Sequence, residues 1–398
     1  MDITIFPGKL SGSIRVIPSK SQAHRLLICA AFADAPTTLL CPETNRDIEA
    51  TAGCLRAIGA DIQRTDTEYR IIPITNVPEK ADLFCGESGS TLRFLLPVCG
   101  ALGIDATFHM EGRLPNRPLF PLWEEMERMG CRLNRPTQTT LRCEGKLQPG
   151  EYRISGNISS QYITGLLFAL SLLNGISMIH IIGILESAPY VAMTQDAMRR
   201  FGISTEDYRI TGGKRYQSPG FIEVEGDWSN GAFFLAANSL GSRISLSNLN
   251  DHSLQGDRVV RDLLRQLQHN RTIHAADIPD LVPVLSVVAG ANKGAVFTGI
   301  RRLRLKESDR VSTVIAMLES LGGKAEATED TLTVCGTGLT GGTVDSMGDH
   351  RIAMSAAVAA TVCSQNVTIL GADCAEKSYP QFFDDYMRLG GKYEFNIR

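Results

Sequence analysis

One event recurs along this chain: a small cluster of polar residues opens a helix made almost wholly of small and apolar side chains. It occurs as SQAHRLLICAAFA from Ser21, SGSTLRFLLPVCGAL around Ser90, SSQYITGLLFALSLL from Ser159, SNGAFFLAANSL from Ser229, DLVPVLSVVAGA from Asp280 and DHRIAMSAAVAATV from Asp349. Successive starts lie 69, 69, 70, 51 and 69 residues apart. A fixed period marks a repeated architecture, and here it counts six copies of one unit. The polar openings suit the unpaired N–H groups at a helix start. A helix apolar almost all round must lie inside its domain.

Each copy continues in the same way. A short strand follows (TTLL, ATFHMEG, SMIHIIG, RISLSNL, AVFTGI, NVTILGA), then an amphipathic helix such as DIEATAGCLRAIGA or SDRVSTVIAMLESLGG that in most copies ends at glycine. Terminal glycine supplies the left-handed cap. Hairpin-like stretches, GADIQRTDTEYRIIPI and GKAEATEDTLTVCGT among them, follow several of these helices. At 398 residues the chain exceeds one ordinary core. Two α/β domains of three units each account for it, and the short spacing before Asp280 implies one trimmed hairpin.

Composition narrows the function. Net charge is −3, which gives no general field for nucleic acid or an anionic membrane, so an anion site must be local. The ten cysteines include no Cys-x-x-Cys pair and the seven histidines no H-x-x-x-H, so no metal framework is expected. Reduced, mostly buried thiols fit a cytoplasmic protein. The opening MDITIFPGKLSG carries an acid at position 2 and no apolar run, unlike a secretory leader. The most membrane-like stretch, Gly165 to Leu185, is broken by Asn174-Gly175 and His180 and reads as a buried helix, a turn and a buried strand.

Cations recur where helices begin. Lys20 and Arg25 flank the first buried helix, Arg93 lies in the second, and Arg117 precedes PLFPLWEEM. Lys306 and Arg310 bracket the start of the fifth amphipathic helix, after an arginine-rich strand end. Arg351 opens the sixth buried helix and Lys377 precedes SYPQFF. Each such cation opposes the helix dipole by roughly 0.3–1 kcal/mol. Repeated across units, with Ser21, Ser159, Ser160 and Ser187 as neutral donors, the pattern calls for a small polyanionic ligand set from outside the chain. No Walker or G-x-G-x-x-G motif supports a nucleotide cradle. Two acids stand among these cations. Asp280 reads as a plain helix cap and Glu307 as a salt-bridge partner, or the two form a functional pair in which one carboxylate takes a proton from a substrate hydroxyl and the other delivers one to carbon.

In order, PSKSQAHR, GESGSTLR, NRP, SSQYITGLL, ESAPY, DIPD, LRLKESDR, GDHRIAM and EKSYPQFF resemble the 5-enolpyruvylshikimate-3-phosphate synthase family over nearly the full chain. The resemblance implies two similar domains, each of three βαβαββ repeats around buried parallel helices, an inside-out α/β barrel. One lobe would comprise residues 1–17 plus 227–398 and the other 18–226, with the active site in the cleft. Shikimate 3-phosphate would meet Lys20, Ser21, Arg25, Ser159, Ser160, Gln161, Ser187, Asp280 and Lys306. Phosphoenolpyruvate would meet Lys20, Gly89, Arg117, Gln161, Arg310, Arg351 and Lys377. Asp280 would accept a proton and Glu307, with Lys20 nearby, would donate one. No metal or cofactor, no nucleic acid and no membrane is implied, and a monomer is expected. Glu87-Ser88-Gly89-Ser90 departs from the family's usual GNAGT or GNSGT, and Arg302 stands where some members have asparagine.

Two other readings compete. UDP-N-acetylglucosamine enolpyruvyl transferases share the chemistry, but usually carry Lys-Asn at the first helix and a reactive cysteine in the loop that here reads EGRLPNRP. A non-catalytic polyanion binder would need no paired carboxylates. GESGS lacks the final glycine of a nucleophile elbow. His109 and His180 read as satisfied core histidines, and the Met and aromatic residues of PLWEEMERM as packing.

Overall fold

Parallel strands cannot be joined by a tight turn; they need a crossover of a dozen residues or more. In this computed structural model, which describes residues 1–268 and 272–396, the buried helices are those crossovers. Lys80–Gly86 runs into the helix Gly89–Leu102 and returns as Asp105–Met110, parallel to the first strand. A second helix, Leu122–Arg128, leads to the antiparallel strands Cys131–Thr137 and Thr140–Gly145, giving the sheet order first, second, fourth, third. The strands Glu151–Ser155, Ile176–Ile182, Thr205–Glu206 and Arg209–Thr211 repeat that order around the helix Ser160–Leu172.

The chain divides into two compact units, a continuous one, Pro18–Glu225, and a split one, Met1–Ile17 with Gly226–Arg398. Each closes its repeat pattern with a strand from the far end of its own sequence. In the continuous unit, Phe221–Glu223 pairs in parallel with Thr37–Leu40 and so completes the sheet around the helix Lys20–Ala31. In the split unit, Asp2–Phe6 is inserted between Val367–Leu370 and Lys392–Asn396, in the place of a fourth strand. Ser11–Arg15 pairs in parallel with Arg243–Ser247 as a two-stranded sheet, and among the described residues the chain passes from there to Thr272–His274 without a hairpin. That is the trimmed copy implied by the short spacing.

Each unit has its own apolar core, and the buried helices supply much of it. Gly165 shows how closely they pack: a Cβ there would lie 2.2 Å from the carbonyl oxygen of Arg93 on the neighbouring helix. Leu122 and Met126 are fully buried, and the partly buried Trp123 and Met129 pack against the same core.

Several expectations fail for local reasons. Ile176–Ile182 is not a buried strand: its alternate residues face outward and both terminal isoleucines are exposed. The same period-two alternation turns His109 and His180 away from the core. They pair instead with Asp82 at 2.7 Å and Glu151 at 3.4 Å. The arginine-rich stretch is no strand end either. The strand Gly294–Thr298 stops before Gly299, whose φ of 72° turns the chain, and Arg301–Leu305 is a 3-10 helix. Lys306 therefore precedes the helix Arg310–Ser320, and Arg310 is its first residue.

Candidate active site

In the continuous unit, serines cap three buried helices. Ser19 accepts the Gln22 N–H, Ser88 that of Thr91, and Ser159 that of Gln161. Lys20, the first residue of its helix, reaches Asp47 Oδ2 at 2.9 Å. Gln161 is held from two sides: its Oε1 accepts Arg93 Nη1 at 2.8 Å and its Nε2 donates to Ser90 Oγ at 3.0 Å. A Cβ on Gly89 would stand 2.7 Å from Arg117 Nη1 and 2.9 Å from Arg93 Nη1. Two guanidinium groups thus press on a helix start, where backbone N–H groups add their own positive potential. Glu87, which stands beside this point in sequence, turns away, its Oε1 accepting the Arg113 N–H at 3.3 Å.

Arg25 lies a turn deeper and is buried. Its donors go to neutral oxygens: Thr194 Oγ1 at 2.8 Å, the Ser21 carbonyl at 2.6 Å, the Tyr190 carbonyl at 2.9 Å and Thr164 Oγ1 at 3.5 Å. Burial lowers its pKa to about 10, because the charged form is disfavoured away from water. Ser187 precedes the helix Ala188–Arg200 with a left-handed backbone, φ 59°, and its carbonyl accepts the Tyr190 N–H at 3.1 Å. A serine held there is strained, as residues at binding sites often are. Lys20, Ser21, Arg25 and Ser187 are thereby linked to the starts of neighbouring helices, as are Gly89, Arg117 and Gln161.

The split unit gathers acids and cations more tightly. Asp280 is not the helix cap: Leu281 holds that position with no side-chain cap bond. The Asp280 carboxylate instead receives Arg310 Nη1 at 2.7 Å, Arg351 Nη2 at 3.4 Å and Lys306 Nζ at 3.8 Å. Arg310, 1% exposed, also donates from Nη2 to Glu307 Oε2 at 2.9 Å and from Nε to Asp349 Oδ2 at 3.0 Å. Asp349 is itself the cap of the helix His350–Ala359, accepting the Arg351 N–H at 2.9 Å, and takes a third bond from Ser308 Oγ at 2.9 Å. Lys377 ends the short helix Ala372–Lys377, which packs on His350–Ala359.

The electrostatics follow from these contacts. Burial opposes the charged form of Asp280, but Lys306, Arg351 and Arg310 outweigh it and hold the carboxyl well below the usual range. Lys306 is lowered to about 8 by burial, with Arg310 and Arg302 adding to the effect and Asp280 opposing it. Arg351 is buried, and its Nε and Nη1 have no hydrogen-bond partner among the described residues. Such donors are expensive to leave unmet.

The chain does not leave all countercharge to a ligand, because Asp280, Glu307 and Asp349 already face Lys306, Arg310 and Arg351. Asp47, Asp349 and Asp257 were missed. The first two stand at helix starts, Asp349 in the very motif GDHRIAM, so their position was a usable signal. Asp257 had none. It is 1% exposed, accepts a hydrogen bond from Ser229 and is pushed up to about 7 by burial first and Asp280 second. Among the described residues there is no cluster of three or more metal-ligating side chains and no helix long and apolar enough to cross a membrane.

Known proteins share this arrangement of elements. A solved EPSP synthase of Acinetobacter baumannii superposes with a TM-score of 0.81 at 24% identity, covering 99% of this chain and all of that one. The enolpyruvyl transferase NikO of Streptomyces tendae gives 0.73 at 17%, covering 100% of this chain and 99% of that one. These likenesses concern the fold. In sequence, the 3-phosphoshikimate 1-carboxyvinyltransferase of Clostridium beijerinckii is 37% identical over 432 aligned positions, covering 100% of this chain and 99% of the relative. That of Clostridium botulinum Alaska E43 is 38% identical over 427, covering 99% and 98%. The profile of the family described as EPSP synthase (3-phosphoshikimate 1-carboxyvinyltransferase) matches residues 6–386, and the chain belongs to that family.

Proposed function

We propose that this protein transfers the enolpyruvyl group of phosphoenolpyruvate to the 5-hydroxyl of shikimate 3-phosphate and releases phosphate, a step of aromatic amino acid biosynthesis. Family membership and full-length relatives of that name support the reaction. One observation carries the assignment of roles: two carboxylates, Asp280 and Glu307, share the buried guanidinium of Arg310, and Asp280 is kept ionised by three cations.

In this reading Glu307 gives a proton to the methylene carbon of phosphoenolpyruvate, leaving the central carbon electron-poor. The substrate hydroxyl attacks that carbon while Asp280 takes its proton, forming a non-covalent tetrahedral ketal. Loss of a proton from the new methyl group and departure of phosphate restore the double bond. As bound anions draw Arg310, Arg351 and Lys306, Asp280 loses their support and becomes more basic at the moment it must act as base. Lys20, Arg117, Gln161 and the helix start at Gly89, with Lys377, bind phosphoenolpyruvate. Ser21, Arg25, Ser159, Ser160 and Ser187 bind the phosphorylated ring. The reading takes the protein as a monomer. The ten free cysteines, most of them buried, suit the cytoplasm.

The test is phosphate release by purified protein given both substrates and neither metal nor nucleotide. Release with UDP-N-acetylglucosamine in place of shikimate 3-phosphate would reassign the acceptor, and binding of both substrates without release would leave a polyanion binder.

A further inference from the structure

Beneath the helix starts of the continuous unit runs a line of buried side chains to which the proposed reaction gives no role. His24 Nδ1 lies 2.7 Å from Thr51 Oγ1, Thr51 Oγ1 is 2.7 Å from Thr91 Oγ1, and Thr91 Oγ1 is 2.7 Å from Ser88 Oγ. All four are 0–1% exposed, and the line joins three helices, Lys20–Ala31, Arg46–Ala57 and Gly89–Leu102.

Its direction is fixed at one end. His24 Nε2 is buried with no hydrogen-bond partner among the described residues. A buried N–H left without an acceptor is worse than a bare lone pair, so the proton belongs on Nδ1, which donates to Thr51. At the other end Thr91 Oγ1 donates to Ser88 Oγ, with the Asp47 carbonyl a more distant acceptor at 3.5 Å, and because its one proton is so used, Thr51 donates to Thr91. Burial, with Lys20 and Arg25 adding to it and Asp47 opposing, lowers the His24 pKa to about 3, so the ring stays neutral and keeps this tautomer. Ser88 Oγ also accepts the Thr91 N–H at 3.2 Å, so both its lone pairs are engaged and only its own proton remains to be given. The next residue is Gly89, where the neighbouring groups are the guanidinium donors of Arg93 and Arg117.

We propose that Ser88 is a further binding residue, donating its hydroxyl proton to the anionic oxygen of a carboxylate or phosphate held at Gly89, and that His24, Thr51 and Thr91 are positioning residues that aim it. The inference rests on the reading of Gly89 as part of the phosphoenolpyruvate site.

Two measurements test it. Thr91→Val removes one hydroxyl at constant shape and should raise both the KM and the calorimetric Kd for phosphoenolpyruvate about tenfold. The KM for shikimate 3-phosphate should change little, the melting temperature should fall modestly because buried Thr51 loses its acceptor, and Thr91→Ser should restore both stability and wild-type binding. Ser88→Ala should match the valine variant, and the double variant should be no worse than either. Equal losses for both substrates, additive losses, or no loss would overturn the relay. Independently, nitrogen NMR of the free enzyme, with His24 assigned through His24→Gln, should show the Nδ1–H tautomer unchanged from pH 5 to 9. An Nε2–H signal would overturn the relay whatever the activity. Wild type that binds phosphoenolpyruvate tenfold tighter than Thr91→Val yet turns nothing over would retain the relay and remove the proposed reaction.

Discussion

Arg310 Nη1 donates to Asp280 Oδ1 at 2.7 Å, and the two residues lie 30 positions apart in sequence. The same guanidinium holds Glu307 and the fully buried Asp349, so one side chain orients both proposed proton carriers and neutralises a helix cap. Its planar fork permits this; a lysine offers a point charge only. Arg310→Lys should therefore fold, with kcat/KM down roughly a hundredfold as three carboxylates lose their alignment. Arg310→Ala leaves Asp349 buried without its cation and should destabilise by about 3–5 kcal/mol. Denaturant melts and steady-state rates separate the two effects, and a fully active lysine variant would refute the shared-fork role.

Removing Asp280 should have an unequal effect on binding and turnover. Without it Lys306 and Arg351 lose the carboxylate they face, while Arg310 keeps Glu307 and Asp349, so cationic charge is released for anions and shikimate 3-phosphate affinity should hold or rise. Turnover of Asp280→Ala should fall by about two to four orders of magnitude, the usual worth of a positioned base. Calorimetry beside single-turnover rates gives both numbers. Parallel losses would reassign Asp280 to binding alone.

The period of the buried helices was readable because it is local: each start repeats a polar opening and an apolar run within some fifteen residues of sequence. The role of Asp280 was not, since DIPDLVPVL fits a cap as well as a carboxylate awaiting cations. The deciding partners, Arg310 and Arg351, come from helices 30 and 71 residues further on. His109 was misread although its signal was present, for Ala106, Phe108 and Met110 set the inward face and leave it outside. Asp257 could not be found this way, because an acid in SLQGDRVV looks like an exposed turn residue and only the packing over it reveals burial.

Lys306, lowered to about 8, predicts how anion binding responds to alkali. As pH rises through 8 the free enzyme loses this charge, so kcat/KM should decline there although the substrates no longer titrate. Lys306→Arg, which keeps its charge, should shift that decline to higher pH even if its maximum is lower. Coincident profiles for the two proteins would mean that another group governs the limb.

Asp257 makes a prediction about stability. Its folded pKa is raised to about 7, whereas in the unfolded chain an aspartate titrates near about 4. Between those values the folded state binds more protons than the unfolded state, so this residue makes stability fall as pH rises across the window. Asp257→Asn has no proton to lose there. Denaturant titrations from pH 4.5 to 7.5 should show the variant gaining on wild type as pH increases, and parallel curves would show that Asp257 does not titrate in that range.

Gly89 offers the sharpest separation of fold from function. Its backbone lies outside the left-handed region, so alanine is conformationally allowed at this first helical position and the helix should form as before. The added methyl would stand 2.7 Å from Arg117 Nη1 and 2.9 Å from Arg93 Nη1, closer than side-chain carbons approach, so both guanidinium groups must retreat. Displacing paired donors by a fraction of an ångström loosens a bidentate hold on an anion while leaving its charge nearby. Gly89→Ala should keep its melting temperature and its KM for shikimate 3-phosphate, and raise the KM for phosphoenolpyruvate about tenfold or more. An unchanged phosphoenolpyruvate KM would show that the guanidinium pair over this helix start does not hold that substrate, and the assignment of Arg117 would fall with it.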